Sequence, residues 1–459
     1  MAKSPIHRDS RVDGFVHEDQ CLRAAAGTGM CANHAEVPAA SHVTEAVDRL
    51  TGTRHLYRRA GFDTRPMEFR SDGGIGAGSG RLETQWRIHQ CQDDVFLDIG
   101  NAAELTCRLT LGEGGVWRGR WENFERMPVE VYPQPDPPSA VDGIDVVYTW
   151  VDGAASTPIL RALLDAESTP VLPSAVTHNR FRSIGELRFS LRSLHVYAPW
   201  VQRVFLVTNG NIPPWINLDC PKLRLVTHAE IFENASALPT FNSHAIELNL
   251  HRIPGLGPAF LYFNDDLFLG QPVRQEDFLS ADDIQNIFFT DWDIPCTKTE
   301  QAHDRAYGFT LRLLDRAYGA RPRRMLAHVP QLYRVDVLEE ICRRWKVEFE
   351  NTSGNRFRNG DDAVLRILYA YYLLESPVPR WAARRVILPQ GRDYVFVPIS
   401  TNHAHTRQGL SRAAHGRPKF LCLNDEIAGD GECSAGVFED VCEFLSGQYS
   451  WPSPFERQE

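Results

Sequence analysis

Residues 259–270 read Ala259-Phe260-Leu261-Tyr262-Phe263-Asn264-Asp265-Asp266-Leu267-Phe268-Leu269-Gly270. The opening apolar run has the length of a buried strand, and the polar triplet after it ends the run abruptly. The same arrangement recurs upstream. Ile144 to Val151 (IDVVYTWV) is stopped by Asp152-Gly153, Val204 to Val207 by Thr208-Asn209-Gly210, and Leu223 to Val226 by Thr227-His228. Helical spacings lie between these runs: Ile184, Leu187, Leu191 and Leu194 in one segment, Ile246, Leu250 and Ile253 in another. Ser183-Ile184-Gly185-Glu186 has the form of a capping box that starts the first of these helices. Strands alternating with helices predict an α/β fold, Rossmann-like, with a mostly parallel sheet and flanking helices. Ligands of such sheets sit outside the carboxyl ends of the strands, so the polar strand ends are expected to converge on one site.

Upstream of residue 144 the character changes. Tyr132-Pro133-Gln134-Pro135-Asp136-Pro137-Pro138 is rich in proline, and residues 133–140 are read as a linker. Residues 46–132 contain short runs such as Val95 to Ile99 and Leu105 to Leu109, with Gly112, Gly114 and Gly115 as turn residues, and predict a small β-rich accessory unit. Residues 1–45 have no period and read as a loose arm, which leaves 141–459 as the main domain.

The 459-residue chain has a formal net charge of −10 and no dense Lys/Arg run, which argues against a nucleic-acid partner. Neither a signal peptide nor a run of 18 apolar residues is apparent, so a cytoplasmic location, with peripheral association at the inner face of the membrane, is expected. The ten cysteines form no Cys-x-x-Cys pair, consistent with free thiols in a reducing compartment.

Several segments carry groups suited to chemistry. Asp265 and Asp266 would repel each other if buried unpaired, and a divalent cation, Mg²⁺ or Mn²⁺, would relieve that. An Asp-rich turn capping the next element is the competing account. His328, in Ala327-His328-Val329-Pro330, is either a structural histidine or a general acid–base group. Arg358, in Arg356-Phe357-Arg358-Asn359-Gly360-Asp361-Asp362 ahead of a Leu- and Tyr-rich helix, is either solvated or a bidentate phosphate clamp. Asn242-Ser243-His244 opens a helix whose free amides suit an anion, although ordinary N-capping serves as well. Lys419 to Leu423, ending in Asn424-Asp425, repeats the strand-then-acid pattern far along the chain.

Taken together, four blocks resemble the Stealth family of sugar-phosphate transferases. They are Ile144–Gly153; Arg180–Gly270 with RFRSIGELRFSLRSL, LPTFNSHAIELNLHRIPGL and FLYFNDDLFLG; Ala327–Leu374 with AHVPQLY and FRNGDDAVLRILYAYYLL; and KFLCLNDEI followed by SWPSPFE. The blocks lie in family order, and residues 1–140 fall outside them. The resemblance implies a UDP-sugar donor, often UDP-N-acetylglucosamine, and attack of a sugar or polysaccharide hydroxyl on the β-phosphorus with departure of UMP. It places Asp266, His328 and Arg358 in catalysis. Substrate contacts are expected from Asp145, Trp150, Asp152, Arg182, Asn209, Asn242, Ser243, His244, Arg305 and Asn424, and metal contacts from Asp265, Asp266 and Asp425. Animal members carry large insertions between the second and third blocks; here only about 55 residues separate them, which favours a bacterial-type, polysaccharide-building enzyme. Two rival readings remain: a conventional glycosyltransferase that releases UDP, and an inactive sugar-binding protein.

Overall fold

The computed structural model describes residues 40–122, 127–133, 143–151, 153–166, 170–295, 300–376, 381–429 and 435–457. The first 39 residues, most of the proline-rich linker and Asp152 lie outside the described residues. The chain divides into two compact units, one comprising residues up to Pro137 with Val378–Ala382, the other Pro138–Pro377 with Ala383–Glu459.

In the first unit a helix spans Ala40–Gly52, so the expected arm gives way to regular structure before residue 45. Seven strands follow: β1 (His55–Arg59), β2 (Asp63–Met67), β3 (Gln85–Cys91), β4 (Asp94–Gly100), β5 (Leu105–Leu111), β6 (Trp117–Trp121) and β7 (Pro128–Pro133). They pair antiparallel in the order β2-β1-β7-β6-β5-β4-β3. Alternate residues, among them Leu97, Ile99, Cys107, Leu109, Val129 and Val131, are buried on one face, as the period of two requires. Gly114 and Gly115 take positive φ between β5 and β6, the conformation that a side chain would strain.

The second unit is built on β8 (Asp145–Thr149), β9 (Val204–Thr208), β10 (Leu223–Thr227), β11 (Ala259–Asn264), β12 (Leu267–Leu269), β13 (Ile284–Asp293), β14 (Arg324–Leu326), β15 (Gln331–Arg334), β16 (Ala382–Ile387), β17 (Tyr394–Ile399) and β18 (Phe420–Asp425). Its central sheet has the order β10-β9-β8-β11-β15. The first four are mutually parallel and β15 runs against β11. This is an α/β fold with a mostly parallel sheet. The chain lays β9 and β10 on one side of β8 and then returns to place β11 on the other, so the order reverses between β8 and β11, where open sheets form their ligand crevice. Leu206, Leu261, Phe263, Val146 and Tyr148 are buried from both sides.

A second, three-stranded sheet, β12-β18-β17, begins three residues after β11 ends. The helix Glu186–Tyr197 holds the junction. Ser190 Oγ donates to the Leu267 carbonyl at 2.5 Å, and the Leu269 amide donates to Ser193 Oγ at 3.1 Å. That helix starts at Glu186, with Gly185 in the left-handed region at φ 90°, and not at the expected capping box. The turn at Gly185 leaves Ser183 outside the helix; Glu186 instead accepts the Ile184 amide at 2.8 Å. The later helix is also shorter than the spacing predicts, with regular turns over Ser243–Asn249 and a single 3₁₀ turn over Leu250–Arg252.

The chain's last described segment closes on the same helix. Glu456 is buried and accepts from Arg188 Nε at 2.5 Å, Arg192 Nη2 at 2.7 Å and the Ser453 amide at 2.8 Å. Burial alone would raise its carboxyl, but Arg192, Ser453 and Arg188 outweigh that and hold it down at about 2, from an ordinary 4.5. A depressed carboxyl stabilises the fold above pH 4.5 and loses that contribution as pH falls toward 2. Glu456→Gln is therefore expected to cost on the order of 3 kcal/mol at pH 7 and to flatten stability between pH 4.5 and 2. Thermal melts of both proteins across that range check it, and an unchanged acid limb in the variant would refute it.

Candidate active site

Only Asp265 and Asp266 separate the end of β11 from the start of β12. The Asp266 carbonyl accepts the Leu423 amide of β18 at 3.0 Å, so the acidic pair is held by the main chain of both sheets. Successive strand residues point to opposite faces. Asn424 accordingly turns toward Asp266, with Nδ2 3.2 Å from Oδ2, and Asp425 turns away from it. Arg182 Nη1 meets Asp425 Oδ2 at 2.5 Å, and Asp425 Oδ1 accepts the Ile427 amide at 2.9 Å. Arg182 and Asp425, expected at substrate and metal, thus tie a loop to β18.

Around Asp266 the groups are close. His328 Nε2 lies 3.5 Å from Asp266 Oδ1, with no hydrogen bond of ordinary geometry to either atom. The Cys422 thiol donates to Oδ2 at 3.6 Å. Burial works against the charge on Asp266, yet His328, Asn424 and Cys422 together hold its carboxyl below the usual range. Asp265 goes the other way. Burial, then Glu186 and then Asp266, push it well above the usual range, and burial raises Glu186 too. Carboxylates crowded together with little counter-charge are the arrangement that a divalent cation relieves, so the oxygens of Asp265 and Asp266 fit one. Asp266, His328 and Cys422 also bring one carboxylate, one imidazole and one thiol within 4.8 Å of one another. Burial pushes the Cys422 thiol far up, and a protonated thiol is a poor ligand.

Asn264 and Leu267, which flank the acids in the chain, line a cavity open to solvent. Ser243, His244, Glu247, Tyr262, Asn264, His303, His328, Gln331, Arg358 and Arg366 are among the residues that line it. A buried carboxylate, Asp362, organises the wall. It accepts from Asn242 Nδ2 at 2.9 Å, Asn355 Nδ2 at 2.7 Å and the Asn359 amide at 2.8 Å, and sits 3.2 Å from His244 Nδ1. Asn242 also caps the helix at His244, so its polar groups are consumed in holding the wall rather than a ligand. Arg358 Nη2 reaches Ser243 Oγ at 2.8 Å.

The structure therefore brings Asp265, Asp266, His328, Arg358, Asn242, Ser243, His244 and Asn424 to one place. It puts others elsewhere. Asp145 begins β8 instead of ending it, at the opposite edge of the sheet from the crevice; both carboxylate oxygens are taken by Arg203 at 3.0 and 2.7 Å, and the Gly257 amide adds 2.8 Å. That pairing corrects its expected substrate role. Trp150 is packed into the core beside Tyr148 and Leu187. Asn209, at the end of β9, accepts the Asn211 amide at 3.2 Å. Arg305 is exposed and covers Gly360, where an added Cβ would stand 2.9 Å from its Nε.

Five residues, Glu247, Tyr262, His303, Tyr307 and Arg366, escaped the sequence reading. Glu247 is buried, with its carboxyl raised by burial against the opposing pull of His244, Arg366 and His328; Tyr262 OH lies 3.5 Å from it and 2.9 Å from Thr149 Oγ1. His303 stacks on His244 and meets Tyr307, with ring centroids 5.6 and 4.2 Å apart. Arg366 Nη1 stands 3.1 Å from His328 Nδ1, and Nη2 bonds Tyr307 OH. Glu247 was detectable, since it follows Ser243 by four residues on one helix face.

Known proteins share these segments. Residues 180–287 match Stealth protein CR2, conserved region 2, and residues 327–375 match Stealth protein CR3, conserved region 3. Exopolysaccharide phosphotransferase SCO6023 of Streptomyces coelicolor is 39% identical over 320 residues, 69% of this chain and 53% of that one. Exopolysaccharide phosphotransferase CpsY of Mycobacterium tuberculosis is 32% identical over 327 residues, 70% and 60% of the two. The chain thus spans little more than half the length of these curated relatives. Among solved structures, the galactosyltransferase LgtC with donor and acceptor sugar analogues aligns at a TM-score of 0.31 and 10% identity, over 66% of this chain and 96% of that one. Asp266 and Glu247 fall in the first matched region, and His328, Arg358 and Asp362 in the second. The chain thus carries conserved regions 2 and 3 of the Stealth proteins.

Proposed function

We propose that this protein is a sugar-phosphate transferase of exopolysaccharide or capsule synthesis. It moves a hexose-1-phosphate, N-acetylglucosamine-1-phosphate in the reading that the resemblance favours, from a UDP-sugar to a sugar hydroxyl and releases UMP. The observation that carries this reading is one cavity at the carboxyl end of β11 lined by His328, Glu247 and Arg358, with the carboxylate of Asp266 3.5 Å from His328. The name exopolysaccharide phosphotransferase, borne by relatives 32–39% identical, agrees with it.

The chemistry follows from charge. A diphosphate entering the cavity meets Arg358, whose planar fork matches phosphate oxygens. Asp265 and Asp266 would hold Mg²⁺ or Mn²⁺, which supplies charge neutralisation for the donor diphosphate. The acceptor oxygen forms a bond to the β-phosphorus, and the bond from that phosphorus to the bridging oxygen breaks, leaving its electron pair on UMP. The hydroxyl proton passes to a carboxylate. Glu247, which lines the cavity, and Asp266, 3.5 Å from His328, are the two carboxylates that could accept it. His328 stays beside the reacting phosphate as a polar partner of Asp266. The anomeric carbon is untouched and the product is a phosphodiester. The reading also places the enzyme in the cytoplasm, at the membrane surface; among the described residues no helix is long and apolar enough to cross a membrane.

Incubation with UDP-sugar, Mg²⁺ or Mn²⁺ and a sugar acceptor is expected to yield UMP. UDP as the product would identify a conventional glycosyltransferase instead, and no turnover an inactive binding protein. His328→Ala, which removes a donor to the reacting phosphate, is expected to lower kcat by roughly 10²-fold or more while donor affinity changes little. Arg358→Lys is expected to be severe as well, because an ammonium lacks the bidentate fork. Near-normal kcat in either variant, with only a lower melting temperature, would make that residue structural.

Asp265 supplies a test that does not need turnover. Its raised carboxyl binds a proton more tightly folded than unfolded, so its ionisation costs stability as pH rises above the ordinary carboxylate range. In chelator at pH 7, Asp265→Asn is expected to melt above the parent, whereas Mn²⁺ should stabilise only the parent. A variant that melts lower in chelator and still gains stability from Mn²⁺ would overturn the metal assignment.

A further inference from the structure

Arg366 interrupts a helix, Leu365–Glu375, that is otherwise apolar nearly all round. A cation in such a place needs a reason, because lone buried charges are costly. The surroundings are Tyr307, Tyr333, Glu247 and His328. One guanidinium nitrogen bonds the Tyr307 hydroxyl, and another, Nη1, lies 3.1 Å from His328 Nδ1.

A guanidinium has donors and no acceptor. The 3.1 Å contact is therefore a hydrogen bond only if His328 Nδ1 presents its lone pair. A neutral imidazole carries one proton, which then resides on Nε2. Nε2 is the atom that faces Asp266 Oδ1 at 3.5 Å, and neither of these atoms has a hydrogen bond of ordinary geometry. An N–H donor and a carboxylate acceptor thus stand side by side, both buried and with hydrogen-bonding capacity unused.

We propose that Arg366 is a positioning residue that fixes His328 as the Nε2–H tautomer, so that His328 gives a hydrogen bond to a phosphate oxygen and leaves the acceptor's proton to a carboxylate. This rests on the phosphoryl-transfer reading above and assigns the direction of the hydrogen bond within it. The same geometry excludes Nε2 as a ligand to a cation. Coordination there would need the ring proton on Nδ1, pointing at a second donor. The carboxylate, imidazole and thiol grouped around Asp266 are for that reason a hydrogen-bonding cluster, with the cation left to the oxygens of the acidic pair.

The 459-residue protein labelled with ¹⁵N-histidine tests this directly. The His328 signals are identified by their loss in His328→Gln, and long-range ¹⁵N–¹H spectra near neutral pH read which ring nitrogen carries the proton. The expected spectrum has a bare Nδ1 and a protonated Nε2. Arg366→Met is expected to lose that bias and to lower kcat on the order of tenfold to a hundredfold, the scale of a misplaced reacting group, with donor KM changed much less. Tyr307→Phe, which keeps the guanidinium but removes one anchor, is expected to fall between the two. A proton on Nδ1 in the parent protein overturns the proposal, as does the parental tautomer in a folded Arg366→Met. The spectrum reads the tautomer whatever nucleotide is released, so UDP as a product would defeat the phosphoryl-transfer reading without altering this result.

Discussion

The site depends on one backbone constraint: the two residues between β11 and β12 form a turn whose ends are fixed in two different sheets. Asn264 is paired as the last residue of a parallel strand, Leu267 as the first of an antiparallel one, and the Asp266 carbonyl is held by Leu423. Asp265 and Asp266 therefore cannot swing apart to relieve their repulsion. The helix carrying Ser190 and Ser193 fastens the strand beyond them, and the same helix begins with Glu186, the third carboxylate of the group. The fold keeps electrostatic strain at this point because both sheets hold it there, which is the usual bargain between stability and a working site.

The cavity wall is organised by a different device. Asp362 is fully buried and satisfied by two asparagine side chains, a backbone amide and an imidazole. A buried carboxylate with that many donors fixes the relative position of every group that donates to it. Here those groups are the start of the Ser243 helix and the 355–359 loop, the two segments that carry Ser243 and Arg358. The acidic pair is set by main-chain pairing and the cavity wall by a side-chain hub.

Much of this was legible in the sequence. Apolar runs that end in polar residues gave the parallel strands, and their carboxyl ends do share one edge of the sheet. Asp145 was misread because its apolar run hides which end meets the crevice; the structure answers with Arg203 and Gly257, neither of which carries a local signal. Asp425 was misread because Asn424-Asp425 looks like Asp265-Asp266, yet alternation along β18 turns only one of its two side chains inward. Arg366 had a signal of its own, a single cation inside the run Val364 to Leu374, whose interpretation requires knowing that His328 lies across from it. His303 and Tyr307 had no such signal, since their part follows from the stacking of one helix on another.

The acidic pair also has a consequence for the order of biosynthesis. Its partners Cys422 and Asn424 follow it in the chain by more than 150 residues, and Glu456, which clamps the supporting helix through Arg188 and Arg192, comes later still. A chain emerging from the ribosome exposes Asp265 and Asp266 long before β18 can pair with β12. During that interval the central sheet is able to form while the pair lacks the groups that set the charge of Asp266. The site is thus completed only once β18 has been made, and a chain cut short before residue 420 retains the acidic motif without the environment that makes it a centre.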